Sequence, residues 1–258
     1  GAIPRAFFLT IGLPVRDDAW LAGFTKGMTE LSRQAGCPLL GGDTTRTAKV
    51  GDIHAPVTIS ITAMGELPQS MGLTRAGARP GDDIWVSGCV GGAWAALMHR
   101  WGKLTLDARV FPSAALAMDR PNPRNALGTA LLSSATACAD ISDGLAQDLG
   151  HILERSCVDA DVLWDAVPKH PALAALSQEQ QVEAAMSGGD DYELVFTAPA
   201  DKRGLIEQAS ISALTPVTRI GRIIEKKQSG APLAIRDASG RPLFLPVQGF
   251  DHFAQGAD

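Results

Sequence analysis

Residues 137–157 read ACADISDGLAQDLGHILERSC, and this stretch decides the fold class of the chain. Its first five residues predict a short strand, and the next three, Ser142-Asp143-Gly144, form an acidic loop at the end of that strand. From 145 to 157 apolar residues recur at helical spacing, and these side chains are predicted to face inward: Leu145, Leu149, Ile152 and Leu153. A strand and a helix joined by a glycine-containing loop are typical of layered α/β proteins.

The same alternation continues on both sides of this unit. Strands are predicted over 6–13, 38–40, 57–64, 84–87, 192–197 and 217–224. Helices are predicted over 17–35, 92–101, 125–135, 179–186 and 201–209. This order predicts an α/β, or layered α+β, fold. A turn-rich stretch with Gly77, Pro80 and Gly81 predicts a boundary between a domain of residues 1–70 and a larger one of residues 71–258.

Composition and charge exclude several classes of function. The 258 residues carry a formal net charge of -5 with scattered Lys and Arg, which argues against a nucleic-acid partner. No apolar run reaches the roughly 18 residues that span a bilayer, so no membrane partner is expected. The four cysteines form no CxxC pair, which argues against a structural zinc site. We expect them to be reduced, as in a cytoplasmic protein: Cys37, Cys89, Cys138 and Cys157.

Acidic residues lie next to glycine in three segments that we expect at strand ends. The segments are 41–46 (GGDTTR), 140–144 (DISDG) and 187–193 (SGGDDYE). Carboxylates in such loops suit Mg²⁺, which takes one or two of them and completes its shell with water and substrate phosphates. Glycine lets the backbone approach a phosphate closely. Because the chain has no GxxxxGK[ST] sequence, the pattern predicts phosphates held through metal ions, and hence phosphoryl transfer.

Each segment also has a structural interpretation. Asp43 is compatible with a turn, Asp143 with a helix N-cap, and Asp190-Asp191 with a solvated loop. Two further features are interpreted as structural: the turn at Asp82-Asp83, and His151 among its apolar neighbours. Only the combination of the three segments favours a functional site over these interpretations.

Taken together and in this order, the three segments resemble the thiamine-monophosphate kinases. The second continues to Asp148 and His151, the third continues to Leu194, and residues 249–253 (GFDHF) resemble that family's C-terminus. The resemblance covers essentially the whole chain. The first two segments have looser relatives in the wider aminoimidazole-ribonucleotide-synthetase-like superfamily, whereas SGGDDYEL and GFDHF are more specific to the kinases.

The resemblance implies both a fold and a reaction. The fold has two domains, of which the N-terminal sheet domain pairs with its twin in a homodimer, near the ATP site. The larger C-terminal domain is an α/β layer. The implied reaction is direct, in-line transfer of the γ-phosphate of ATP to thiamine monophosphate, assisted by several Mg²⁺ ions. It gives thiamine diphosphate and needs no covalent nucleophile.

Matching positions assign roles to individual residues. The resemblance implies four ATP contacts: Gly42, Asp43, Arg75 and Ser142. It implies three Mg²⁺ ligands: Asp43, Asp140 and Asp143. It also implies two substrate contacts, Asp190 for the aminopyrimidine and Phe250 for the thiazolium cation. The family often has Glu at the position of Asp190, so the shorter side chain is expected to shift this contact or route it through water.

Family motifs that precede the position of Gly1 are absent from the sequence. They are a GDD run, an STDT-like stretch and an NLSD segment, which provide further Mg²⁺ ligands and a substrate-contacting His. The sequence therefore predicts little kinase activity for a polypeptide that begins at Gly1. Two alternatives stay open. One is another ATP-using synthetase of the superfamily, and the other is a non-catalytic nucleotide-binding or dimerising remnant.

Overall fold

The computed structural model of the chain describes residues 1–50, 53–68 and 72–243. The chain divides into two compact units, one formed by Ala2–Gly72 and the other by Gly1 together with Leu73–Asp258. In the part of the chain that is described, no helix is both long enough and apolar enough to cross a membrane. Each unit has a sheet of its own.

The first unit is built on a three-stranded sheet with one long helix. In chain order its elements are β1 (Ile3–Leu13), α1 (Asp18–Ala35), β2 (Leu39–Arg46), β3 (Lys49–Val50), β4 (Ile53–His54) and β5 (Thr58–Glu66). The sheet order is β2-β1-β5, with β1 parallel to β2 and antiparallel to β5, while β3 and β4 form a separate antiparallel pair. The buried apolar side chains of this sheet come from β1: Ala6, Phe7, Ile11 and Leu13.

Helix α1 begins and ends at the residues that its sequence predicts. The Asp17 carboxylate accepts the N–H groups of Ala19 and Trp20 at 3.0 Å, which satisfies donors that the first turn leaves unpaired. Gly36 ends the helix in the left-handed conformation, with φ of 61°. No residue of α1 is fully buried, although Trp20 stacks on Phe24 with ring centroids 5.3 Å apart. The helix is therefore amphipathic in sequence but only partly covered.

The segment GGDTTR differs from its predicted form, because it lies within a strand and not in a loop after one. Strand β2 runs through Arg46, so Asp43 lies in the sheet opposite Thr10 of β1. Gly42 lies opposite Leu9, and a Cβ at this position would come 1.9 Å from the Leu9 carbonyl oxygen. Any larger residue there would push the two strands apart, which explains the glycine.

The second unit contains the larger sheet and most of the core. Its strands are β6 (Asp83–Ser87), β7 (Ala137–Ile141), β8 (Asp159–Leu163), β9 (Glu193–Ala198), β10 (Val217–Ile224) and β11 (Leu233–Arg236). Its helices are α2 (Gly92–Arg100), α3 (Phe111–Asp119), α4 (Asn125–Ala130), α5 (Leu145–Ser156), α6 (Gln178–Val182) and α7 (Arg203–Ser212). A π-helical turn, Glu183–Ser187, follows α6 directly. The sheet order is β11-β8-β10-β6-β9-β7, with only β11 and β8 parallel.

Strand β6 shows that this sheet is covered on both faces. All five of its residues are buried. Ile84 and Val86 belong to one apolar cluster, whereas Trp85 between them belongs to another, with Phe196 and Ile206. Because neighbouring side chains of a strand point to opposite faces, the two clusters lie on the two sides of the sheet. This confirms the predicted layered α/β fold.

The stretch Asp82-Asp83 is more than the plain turn that the sequence predicts. Asp83 begins β6 in a buried position and binds Arg203 through two hydrogen bonds of 2.6 and 2.9 Å. Arg219 adds a third at 3.2 Å. Burial alone would raise the pKa of the Asp83 carboxyl, but the two guanidinium groups outweigh it and lower the pKa below its ordinary value. The pairing joins β6, β10 and α7 at one corner of the sheet.

Candidate active site

The buried carboxylate of Asp148 holds the loop that follows β7 by accepting two of its main-chain N–H groups. Asp140 is exposed at the end of β7, and Ser142 and Asp143 follow it half-buried. Asp148, in the first turn of α5, is 1% exposed and accepts the N–H groups of Ser142 at 2.9 Å and Asp143 at 3.0 Å. Burial raises the pKa of Asp148 above its ordinary value, and the charges of Asp143 and Asp140 add to this. Asp148 thus shapes the loop and is not itself presented to solvent.

The second and third acidic segments, which are far apart in sequence, interlock in the structure. Asp190 donates its N–H to the Ser142 carbonyl at 2.9 Å, and Tyr192 donates its N–H to the Ile141 carbonyl at 2.8 Å. A Cβ on Gly189 would lie 2.4 Å from the Ser142 carbonyl oxygen, so the two backbones touch at that point. The pairing of β7 with β9 aligns the segments, and the glycine lets them meet.

Asp190 points outward and is bound by a tyrosine. The Tyr192 hydroxyl donates to Oδ1 of Asp190 at 2.9 Å, and both residues are exposed. This hydrogen bond raises the pKa of the Tyr192 hydroxyl, as do partial burial and the negative charges of Asp190, Asp140 and Asp143. The sequence predicted each of the three carboxylates separately, but it gave no signal for Tyr192.

The neighbouring acids of the third segment point inward and are structural. Asp191 accepts the Gly91 N–H at 3.0 and 2.8 Å, and so occupies the N-terminal end of α2. Burial raises the pKa of Asp191 to about 8. Glu193 is buried, binds Arg124 through two hydrogen bonds and accepts the Ser87 hydroxyl at 2.5 Å. Of the acids in this segment, Asp190 is the one available to a ligand.

Arg75 lines a pocket beside the helix that follows the second segment. The cavity measures about 430 Å³ and is formed by Thr74, Arg75, Ala76, His151, Glu154 and Arg155. The Ser156 hydroxyl donates to the Arg75 carbonyl at 3.1 Å, and the Cys138 N–H donates to the Thr74 carbonyl at 2.9 Å. The pocket thus adjoins β7, which carries Asp140. His151, interpreted from sequence as structural, is a half-buried lining residue of this pocket.

The remaining predicted residues lie elsewhere. Gly42 and Asp43 are on β2 of the Ala2–Gly72 unit, where Asp43 is exposed. Phe250 and the rest of residues 249–253 lie outside the described residues. The structure therefore places Asp140, Ser142, Asp143 and Asp190 on two interlocked loops, with Arg75 on the adjoining segment.

A small, hard cation such as Mg²⁺ would need water or phosphate oxygens as ligands in addition to the Asp140 and Asp143 carboxylates. Within residues 1–50, 53–68 and 72–243, no group of three or more His, Cys, Asp or Glu side chains is arranged to hold a metal ion. Mg²⁺ ordinarily takes one or two carboxylates, with water and phosphate oxygens filling the other positions. Asp140 and Asp143 both reach solvent and have the right chemistry for such a partial shell.

Comparison with known proteins places the chain in a family. Residues 1–67 match the family model for AIR synthase related protein, N-terminal domain, and residues 79–233 match the one for its C-terminal domain. The thiamine-monophosphate kinase of Haemophilus influenzae is 37% identical over 99% of this chain and 75% of its own length. The Escherichia coli K12 enzyme of the same name is 36% identical over 98% of this chain and 75% of its own length.

Solved structures agree with the sequence comparisons. The crystal structure of thiamine-monophosphate kinase from Stenotrophomonas maltophilia K279a has a TM-score of 0.81 and 39% identity. The match covers 91% of this chain and 72% of that one. The interlocked acidic loops, the two-part family match and these relatives agree with one another, and the chain belongs to the thiamine-monophosphate kinases among the AIR synthase related proteins.

Proposed function

We propose that the protein transfers the γ-phosphate of ATP to thiamine monophosphate and forms thiamine diphosphate. The observation that carries this proposal is that Asp140, Asp143 and Asp190 lie on two loops that main-chain hydrogen bonds and the pairing of β7 with β9 interlock. In the relatives' name the acceptor is a phosphate ester, which is already anionic at neutral pH. A site for such a reaction has to gather negative charge from two substrates, and a carboxylate cluster that binds divalent cations does so.

Asp43, Asp140 and Asp143 are each proposed as Mg²⁺ ligands. The cation neutralises charge on the transferred phosphoryl group when it is bound there. The chain's own part is to present the Asp140 and Asp143 carboxylates from a loop that Asp148 holds in one conformation. Preorganised ligands of this kind spare the reaction the cost of rearranging them.

ATP is proposed to contact Gly42, Asp43, Arg75 and Ser142. The planar guanidinium of Arg75 matches phosphate oxygens in a bidentate manner, and its backbone is tied to α5 by Ser156. Ser142 lies beside Asp143, so its hydroxyl is close to the proposed metal site. Gly42 is exposed next to Asp43 on β2, so both residues are accessible to a nucleotide.

Thiamine monophosphate is proposed to contact Asp190 and Phe250. A carboxylate is a suitable acceptor for an aminopyrimidine N–H, and an aromatic face attracts the thiazolium cation. With both substrates held, in-line transfer requires no covalent intermediate on the protein. No strong general base is needed either, because the attacking phosphate oxygen carries no proton that must be removed.

The Ala2–Gly72 unit is proposed to form a homodimer through its sheet. Apolar side chains on β2 and β5 are 42–64% exposed in the single chain: Leu39, Leu40, Ile59, Ile61 and Met64. Exposed apolar side chains of a sheet commonly mark a protein interface. We also propose that the protein acts in the cytoplasm, in keeping with its four cysteines, which are free thiols.

The test is a substrate panel with the natural full-length protein and MgATP. We expect phosphorylation of thiamine monophosphate, and no turnover of free thiamine, aminoimidazole-ribonucleotide precursors or selenide. Turnover of one of the other acceptors would favour a synthetase of the same superfamily. Binding of MgATP without turnover of any acceptor would favour a non-catalytic nucleotide-binding protein.

A further inference from the structure

We infer that Tyr192 is a positioning residue for the acceptor, because it holds Asp190 with one carboxylate oxygen occupied and the other left for the substrate. The inference rests on the proposed function and on Asp190 as the residue that meets the amino-bearing ring. It adds a residue that neither the acidic pattern nor the family resemblance assigned. Tyr192 itself acts through Asp190.

The backbone around the pair is held in an uncommon conformation. Asp190 has φ of 65° and Tyr192 has φ of 50°, and both values lie in the left-handed region that bulky residues rarely adopt. Two main-chain hydrogen bonds keep them there, from Asp190 to Ser142 and from Tyr192 to Ile141. The side chains turn toward each other as a result, and the hydroxyl reaches Oδ1 of Asp190 at 2.9 Å.

This geometry leaves the Asp190 carboxylate with a defined direction. A carboxylate has two acceptor oxygens, and a free aspartate would rotate about its side-chain torsions. With Oδ1 engaged by Tyr192, the second oxygen is presented from a fixed place on a loop that is locked to β7. An aminopyrimidine N–H needs one acceptor in one direction, so a ligand that carries an amino group on a heteroaromatic ring gains from this restriction.

A purely structural role for Tyr192 predicts a different result from a positioning role. If the hydroxyl only stabilised the loop, its loss would affect both substrates, because the loop is locked to the segment with Ser142 and Asp143. If it positions Asp190, its loss affects thiamine monophosphate alone. Kinetics that vary each substrate separately distinguish the two.

The test is Tyr192→Phe, which keeps the ring and removes the hydroxyl. We expect the KM for thiamine monophosphate to rise about 3- to 10-fold, the size of effect that one ordinary hydrogen bond has, with kcat and the KM for ATP within about twofold of wild type. In an Asp190→Ala background the same change is expected to alter that KM by less than about twofold, since the partner is gone. Ser113→Ala removes an exposed hydroxyl that bonds a local carbonyl, and serves as the matched control.

A second readout follows Tyr192 directly. With ¹³Cζ-labelled tyrosine in the natural full-length protein, the signal that disappears in Tyr192→Phe reports this residue, and we expect it to shift on saturation with thiamine monophosphate and not with MgATP alone. An unchanged KM for thiamine monophosphate in Tyr192→Phe, or an unmoved signal, would overturn the inference while leaving the proposed function intact. A wild-type protein unable to phosphorylate thiamine monophosphate would overturn both.

Discussion

Every residue of β6 in the unit from Leu73 onward is buried, whereas every residue of β5 in the Ala2–Gly72 unit is exposed. The larger unit surrounds its sheet with its own helices, and its proposed site residues are fixed by internal contacts such as those of Asp148 and Gly189. The smaller unit presents Asp43 on an exposed strand. The comparison teaches that the larger unit holds its proposed site residues by internal contacts, whereas the sheet of the smaller unit leaves its own exposed.

The largest expected effects come from glycines at which strands or loops touch. Gly189→Ala would place a methyl group 2.4 Å from the Ser142 carbonyl, and Gly42→Ala would place one 1.9 Å from the Leu9 carbonyl. We expect each to destabilise its own unit by about 1–3 kcal/mol and to abolish measurable turnover. Thermal unfolding and kinase assays measure both effects.

Matched controls exist in each unit for these substitutions. A Cβ at Gly204, in α7, or at Gly23, in α1, would meet nothing within 4 Å. Alanine there is expected to leave activity unchanged and to stabilise the helix by up to about 1 kcal/mol. If Gly189→Ala kept the stability and activity expected of Gly204→Ala, the two acidic loops would not be interlocked as described.

Substitution of the proposed metal ligands is expected to have the next largest effects on kcat. The larger unit contributes Asp143 to this test and the smaller unit contributes Asp43. We expect Asp143→Asn and Asp43→Asn each to lower kcat roughly 100-fold or more, because a ligand charge is lost at constant shape. Activity is expected to require higher Mg²⁺ concentrations in both variants. Full activity of Asp43→Asn at ordinary Mg²⁺ concentration would show that Asp43 is not a metal ligand.

The exposed sheet of the smaller unit predicts a change in assembly. Ile61 on β5 is 53% exposed, and Ile61→Lys would place a charge in the proposed homodimer interface. We expect sedimentation velocity to show dissociation at concentrations at which the wild type is dimeric. Ile211→Lys, on α7 and 74% exposed, is the control and should leave assembly unchanged. A wild type that is monomeric throughout would contradict the proposed interface.

The smallest expected effect on turnover is that of Asp191 at the N-terminal end of α2, which we expect to change stability instead. The pKa of Asp191 is raised to about 8 from 3.8, so the folded state holds a proton there that the unfolded state releases. The stability from this proton is complete below the unfolded pKa and is lost as pH rises through about 4 to 8. We therefore expect Asp191→Asn to gain in stability relative to wild type over this range. The free energy of unfolding of the two proteins, measured by denaturant unfolding between about pH 4 and pH 8, checks this expectation. A difference that does not change with pH would show that Asp191 is ionised throughout this range.

Local sequence patterns were enough to predict helices in both units and the class of the fold. The apolar spacing in 145–157 identified α5 and its four buried apolar residues, because helix periodicity follows directly from which side faces the core. Asp17 and Gly36 marked the ends of α1, because capping depends on residues next to the helix. The layered fold then followed from the order of strands and helices.

Features that depend on distant contacts were not predictable in the same way. The extension of β2 through Asp43 depends on its pairing with β1, and glycine next to aspartate is otherwise typical of a turn. The paired roles of Asp190 and Asp191, one outward and one capping α2, depend on residues about 100 positions away. Tyr192 and His151 were missed because neither has a local signal that separates a site residue from a surface one.

The central claim is that the carboxylates on the two interlocked loops form the place where ATP meets thiamine monophosphate. The most direct test measures formation of thiamine diphosphate from MgATP and thiamine monophosphate by chromatography, in wild type and in the Asp140→Asn, Asp143→Asn double variant. We expect the product in wild type and at least a roughly 100-fold loss in the double variant, which should still fold. Equal rates in the two proteins would contradict the claim.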